Sequence, residues 1–150
     1  MYFDEIELGM SVDTAPAVIK KEKMLEFARD YDNVPLHTDE KYAESTPFGK
    51  LIAPGVMSFM SVWAKYLEVD FFGEELLAGK STKIEWLKPV FAEDVLTGKA
   101  TITNLVKRSE KTVLLKCHLI FTTRTESLYS RMLLRLLSDA DHPKAIEVKR

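Results

Sequence analysis

The sequence predicts an α+β domain in which a curled antiparallel β-sheet wraps around a long central α-helix. Two observations lead to this fold class. The segment from Gly55 to Val69 has a narrow polar stripe and is otherwise apolar, so as a helix it needs to be covered by other structure. After Gly79 the pattern changes to alternating segments joined by short turns, which favour antiparallel pairing over parallel crossovers.

The helices of the first half are predicted from spacing and capping. A helix is expected from Lys20 to Asp30, where apolar residues share one face. Thr38 is expected to cap a short helix from Asp39 to Glu44. The long helix follows, with Pro54 and Gly55 at its start, and its predicted polar stripe consists of Ser58, Ser61, Lys65 and Glu68.

The strands are predicted from alternation and β-branched residues. Four segments qualify: Ser81 to Lys88, Asp94 to Val106, Thr112 to Thr122 and Leu128 to Leu137. A fifth strand is expected near Ser11 to Ile19. Residues 1–137 therefore form one predicted domain, and residues 138–150 form a polar C-terminal tail.

Composition and charge exclude several classes of protein. With 46% hydrophobic and 29% charged residues, the 150-residue chain has the balance of a soluble globular domain. The net charge of −2 argues against nucleic-acid binding, and no segment approaches the roughly 18 apolar residues of a membrane span. Residues 1–7 lack the basic and apolar regions of a secretory signal. Cys117 is the only cysteine, so we expect a reducing compartment and a cytoplasmic protein.

Asp32 and His37 form a candidate catalytic pair between two predicted helices. Pro35 fixes its own φ angle and biases Val34 towards an extended form, which bends the chain and can bring the two side chains together. A carboxylate and an imidazole can move a proton in both directions near neutral pH. The spacing alone leaves open a simpler interpretation, in which Asp32 is a cap and His37 a surface residue.

The start of the long helix is a second candidate feature. Backbone N–H groups at a helix N-terminus have no intrahelical partner and carry partial positive charge. Gly55 would let a ligand approach this backbone closely, and its N–H can stabilise a developing oxyanion. A plain glycine helix start is the alternative.

These two features resemble a known family. The runs FARDYDNVPLHTDEKYA (residues 27–43) and TPFGKLIAPG (residues 46–55) are similar in order and spacing to the MaoC-like hydratases, which include the (R)-specific enoyl-CoA hydratases. The family pattern is D-x-N-P-x-H-x-D, then Y/F-A, then F-G-x-x-I-x-H-G. The resemblance covers residues 11–137 in layout and residues 27–55 in detail. It implies a hotdog fold, which agrees with the α+β layout above.

The resemblance also implies a reaction. The protein would reversibly add water to a 2-enoyl thioester of CoA or acyl carrier protein, with no cofactor beyond this substrate. Asp32 and His37 would hold and activate the water and supply the proton to C2, and the N–H of Gly55 would stabilise the enolate-like transition state. The family's active sites lie near the interface of a homodimer, and a higher oligomer stays open here. No metal site, nucleic-acid partner or membrane partner is expected.

Three positions depart from the family pattern. Val34 stands in place of an Asn, Pro54 in place of the His before the glycine, and Trp63 where some members carry a Ser. These three residues are the candidate substrate-binding residues, and Trp63 could shorten or reshape an acyl pocket. They also motivate an alternative, a non-catalytic acyl-thioester-binding subunit, and a thioesterase is a further alternative.

The phosphates of CoA would call for a basic patch beside the site. Lys50, Lys83 and Lys88 are candidates by position, although solvated surface lysines are the favoured interpretation.

Overall fold

The computed structural model describes residues 6–71, 76–107, 112–123 and 128–139. The helices are α1 (Lys21–Tyr31), α2 (Pro35–Thr38), α3 (Glu40–Glu44) and α4 (Gly55–Glu68). The strands are β1 (Ser11–Asp13), β2 (Ala17–Val18), β3 (Leu76–Trp86), β4 (Val95–Lys107), β5 (Thr112–Thr123) and β6 (Leu128–Asp139). They form one sheet in the order β1-β4-β5-β6-β3, with β2 also paired to β4, and every named pair is antiparallel. The predicted α+β class is confirmed.

The predicted N-terminal strand is divided into β1 and β2 by Thr14. The Thr14 N–H donates to the Gly98 carbonyl at 2.7 Å, and the Gly98 N–H donates to Thr14 Oγ1 at 2.9 Å. A side-chain oxygen thus replaces a backbone acceptor, and the regular ladder stops before Pro16, which has no N–H to donate.

Two strands extend at least two residues past a predicted end. β3 begins at Leu76 rather than Ser81, because register shifts between Leu76 and Ala78 and between Gly79 and Ser81 let the strand continue through the glycine. β6 ends at Asp139, two residues beyond Leu137. Residues 140–150 of the predicted tail lie outside the described residues.

Asp39, and not Thr38, caps α3. The Asp39 carboxylate accepts a hydrogen bond from the Tyr42 N–H at 3.1 Å. Thr38 is the last residue of α2, and its hydroxyl donates to the Val34 carbonyl at 3.0 Å. The prediction for Thr38 is wrong because the sequence interpretation missed α2, and because Asp is at least as good an N-cap as Thr.

The long helix α4 packs one side against the sheet and leaves another side open. Met57, Ser58, Val62 and Tyr66 are buried, whereas Val56, Met60 and Leu67 are 46–50% exposed. Ser58 is therefore not part of a solvated polar stripe, and its hydroxyl donates to the Pro54 carbonyl at 3.4 Å. Among the described residues, the sheet covers one face of an almost wholly apolar helix and leaves Val56, Met60 and Leu67 exposed.

None of the described helices is long enough and apolar enough to cross a membrane.

Gly98 sets how closely β4 approaches α4. A Cβ at this position would lie 2.6 Å from Val62 Cγ1 and 3.2 Å from Thr14 Cγ2. We expect Gly98→Ala to lower the free energy of unfolding by about 1–3 kcal/mol, because a fully packed core has to move to admit the methyl group. Urea denaturation measures the change. Gly79→Ala is the matched control, since no atom lies within 4 Å of its Cβ position. Equal stability of the two variants would contradict the proposed close contact.

Candidate functional site

His37 is held by its own short helix and by a buried hydrogen bond. Val34 is extended (φ −109°, ψ 149°) before Pro35, as predicted, and Pro35 is the first residue of α2. The His37 side chain is only 10% exposed. Its Nδ1 lies 2.7 Å from the Ile52 carbonyl oxygen. Because a carbonyl only accepts, Nδ1 carries the proton and the lone pair of the neutral ring is on Nε2.

Asp32 presents its carboxylate to that second nitrogen. Asp32 ends α1, where its N–H donates to the Ala28 carbonyl at 2.9 Å. Its Oδ2 lies 3.4 Å from His37 Nε2, and its side chain is 42% exposed. The two side chains therefore converge, as the sequence predicted. With neutral imidazole both facing atoms are acceptors, so a water molecule that donates one hydrogen to each would satisfy the pair.

Gly55 is the first residue of α4, so its N–H lies at the helix N-terminus. Pro54 is the N-cap, with no side-chain cap hydrogen bond. Within the described ranges no acceptor is found for the Gly55 N–H. This group therefore retains the donor capacity and the partial positive charge of a helix N-terminus.

The Trp86 indole packs against the Cα of Gly55. A Cβ on Gly55 would lie 2.5 Å from Trp86 Cε2 and 3.0 Å from Cδ1, with Nε1 nearest of all. The missing side chain of Gly55 therefore makes room for an indole ring, and the approach of a ligand to the Gly55 backbone stays a prediction. Sequence interpretation missed Trp86 because it lies at the end of β3, and nothing in its local pattern indicates contact with a helix start.

Asp32, His37 and Gly55 line one cavity of about 450 Å³. This volume is within the usual range for a small-molecule site. The rest of the wall is mainly apolar and consists of Phe48, Ile52, Ala53, Val56, Trp86, Leu87, Lys88, Pro89 and Val90. The three predicted catalytic residues thus meet at a cavity with an apolar wall.

The three predicted substrate-binding residues do not line this cavity. Pro54 is buried as the N-cap of α4, and Val34 is 42% exposed outside the cavity. Trp63 lies further along α4, where its ring stacks on Tyr66 with centroids 5.0 Å apart. Their role in substrate binding stays a prediction.

Of the three candidate lysines, only Lys88 lines the cavity. Lys83 Nζ lies 3.2 Å from Glu85 Oε1. Lys50 Nζ lies 4.2 Å from the centroid of the Phe91 ring and lines a separate, smaller cavity. Lys88 is therefore the candidate for a phosphate contact.

The described part of the chain contains no group of three or more His, Cys, Asp or Glu residues that could hold a metal ion.

We expect Gly55→Ala to displace the Trp86 indole while retaining the backbone N–H. Because the indole is 49% exposed, it can rotate into solvent, so stability should change by less than about 1 kcal/mol. In a Trp63→Phe background, Trp86 is the only tryptophan and its emission should shift to the red. Gly79→Ala in the same background is the control and should leave the emission unchanged. Unchanged emission in the Gly55 variant would mean that the indole does not pack on Gly55.

Comparison with known proteins identifies relatives. Residues 5–123 match the model of the MaoC-like domain. The uncharacterized protein YdeM from Bacillus subtilis (strain 168) is 28% identical over 97 residues, which are 64% of this chain and 69% of YdeM. A monoamine oxidase regulatory protein from Archaeoglobus fulgidus superposes with a TM-score of 0.89 at 24% identity, over 95% of this chain and 96% of that one. The unliganded R-hydratase PhaJ1 from Pseudomonas aeruginosa superposes with a TM-score of 0.73 at 17% identity, over 93% and 86%. The structural likenesses confirm the predicted hotdog fold.

Proposed function

Because the chain belongs to the MaoC-like domain family, we propose that it is an acyl-thioester hydratase or dehydratase. It would reversibly add water to a 2-enoyl thioester of CoA or acyl carrier protein. The observation that carries the proposal is the geometry of His37, whose Nδ1 is bound to the Ile52 carbonyl while Nε2 faces Asp32 in the cavity. The likeness to an R-hydratase supports the same class of reaction.

The Asp32–His37 pair would hold the nucleophile. A water molecule that donates to both acceptors directs an oxygen lone pair into the cavity, where it can attack C3 of the enoyl group. Asp32 takes a proton from the water as the C3–O bond forms. The pair then returns one proton to C2, so the reaction adds the elements of water and leaves the enzyme unchanged. The reverse sequence is the dehydration.

The Gly55 N–H would stabilise the charge that develops on the substrate. As the water attacks C3, the electrons of the C2–C3 double bond move towards the thioester carbonyl oxygen. A preorganised N–H at a helix N-terminus stabilises that negative charge without reorganisation. The apolar wall suits the acyl chain, and Lys88 at the same cavity suits a phosphate of the carrier.

The working unit would be a homodimer. Val56, Met60 and Leu67 form an exposed apolar row on α4, and a second copy packed on this row would bury it. The terminal strand β3 pairs only with β6 among the described strands, so its other edge is available to a partner.

The single cysteine is consistent with action in the cytoplasm.

Removing either member of the pair should abolish most of the activity. We expect Asp32→Asn and His37→Ala each to lower kcat for hydration of crotonyl-CoA by about 10²-fold or more. The amide introduced by Asp32→Asn could still accept a hydrogen bond but could not take the proton of the attacking water, and His37→Ala loses the imidazole acceptor for that water. Loss of the enoyl absorbance measures the rate. Asp30→Asn, an exposed carboxylate on the last turn of α1, is the control and should keep full activity.

The same assay separates the alternatives. A wild-type protein inactive on 2-enoyl thioesters of every chain length tested would contradict the proposal. Release of free CoA thiol would identify a thioesterase. Acyl-CoA binding without turnover, unaltered by Asp32→Asn, would identify a non-catalytic binding subunit.

A charge in the exposed row should oppose dimerisation. We expect Met60→Lys to shift the protein from dimer to monomer in sedimentation velocity, because a lysine would be buried without a partner. Asp13→Lys changes the charge on β1, at the sheet edge opposite β3, and should leave the dimer intact. A wild-type protein that sediments as a monomer would contradict the homodimer.

A further inference from the structure

We propose that the indole N–H of Trp86 is a second hydrogen-bond donor to the thioester carbonyl oxygen, beside the Gly55 N–H. This inference rests on the proposed function and names a further residue that touches the substrate. Neither the sequence pattern nor the family motif includes Trp86.

The Gly55 N–H and the Trp86 indole N–H lie close together. Trp86 Nε1 is closer to the Cβ position of Gly55 than Cε2, which lies 2.5 Å from it. Covalent geometry puts a Cβ about 2.5 Å from its own backbone nitrogen, so Nε1 and the Gly55 nitrogen are at most about 5 Å apart. One oxygen can accept from two N–H groups at about 2.9 Å each when they are less than about 5.8 Å apart. The two donors are therefore close enough to share one carbonyl oxygen.

The indole N–H of Trp86 lies at the cavity and is available to a ligand. Trp86 lines the same cavity as Asp32, His37 and Gly55, and its side chain is 49% exposed. The indole N–H can only donate. Within the described residues no acceptor for it is found. The indole N–H on the cavity wall therefore has no acceptor among the described residues, and it can donate to an acceptor on a ligand.

Pro54, the residue before Gly55, supplies no hydrogen-bond donor to the site. Oxyanion sites for acyl groups commonly combine two donors, and the loss of one donor is costly. Pro54 precedes Gly55 and supplies neither a backbone N–H nor a side-chain donor. Trp86 reaches the same helix start from another part of the chain and supplies a donor there.

Trp86 could instead act only as part of the cavity wall and limit the length of the acyl chain. A wall acts through its volume and changes KM and chain-length preference. A donor to the developing oxyanion acts on kcat and polarises the bound carbonyl. The two roles therefore predict different results for a substitution that keeps an aromatic ring and removes the N–H.

The test compares Trp86→Phe with Trp86→Gln. We expect Trp86→Phe to lower kcat for crotonyl-CoA hydration on the order of 10²-fold, with KM within about threefold of wild type. Trp86→Gln retains an N–H donor and should recover part of the lost kcat. Because Trp86 is half exposed, both variants should fold, which thermal unfolding checks.

Difference infrared spectroscopy supplies a readout that needs no turnover. The probe is butyryl-CoA with an isotope-labelled carbonyl, which is saturated and cannot be hydrated. Binding to the wild-type protein should lower the carbonyl stretching frequency, and Trp86→Phe should reverse part of that shift.

Each outcome has a distinct meaning. An unchanged carbonyl frequency and kcat in Trp86→Phe, or a change confined to KM and chain length, would overturn the role of Trp86 and leave the proposed function intact. A wild-type protein that binds no saturated acyl thioester, whether of CoA or of acyl carrier protein and at any chain length tested, would overturn the proposed function and this inference together.

Discussion

The hydrogen bond between His37 Nδ1 and the Ile52 carbonyl determines the chemistry of the cavity. It fixes the proton on Nδ1, so that in the neutral ring Nε2 faces Asp32 as an acceptor. The same bond ties α2 to the segment that leads into α4, and Gly55 begins that helix three residues after Ile52. This bond therefore helps to fix the position of the Asp32–His37 pair relative to the Gly55 N–H. Losing this bond would leave a buried polar group unsatisfied, at a cost of about 1–3 kcal/mol.

A short antiparallel pairing holds both sides of the cavity. Ile52 forms a β-bridge with Phe91, and the Ala53 N–H donates to the Val90 carbonyl at 2.7 Å. The carbonyl that orients His37 therefore belongs to a segment that is itself anchored. Val90 and Phe91, which pair with this segment, follow Trp86 at the end of β3 by four and five residues. The indole is positioned by β3, where Trp86 pairs with Ser130 on β6, and the Ile52–Phe91 bridge places the segment after Trp86 beside the segment that orients the imidazole.

The sequence predicted those features that depend on local interactions. The bend at Pro35 and the approach of Asp32 to His37 depend on a few neighbouring residues, so spacing indicated them, although it left open a simpler interpretation of both side chains. The contact of Trp86 with Gly55 joins two elements 31 residues apart, and no local pattern encodes it. Thr38 was misassigned because Asp39 beside it is an equally good N-cap. Gly79 was taken as a boundary because a glycine in a strand cannot be told from a turn until the register is known.

Ser58 departs from the predicted polar stripe of α4 for a different reason, and that reason links association to the site. Ser58 satisfies its hydroxyl within the helix, so it can be buried against the sheet, while apolar side chains remain exposed elsewhere. Which face of such a helix is covered depends on what lies outside the chain. Val56 belongs to the exposed row and also lines the cavity. A second copy packed on that row would therefore form part of the rim of the cavity and restrict which acyl chains can enter it.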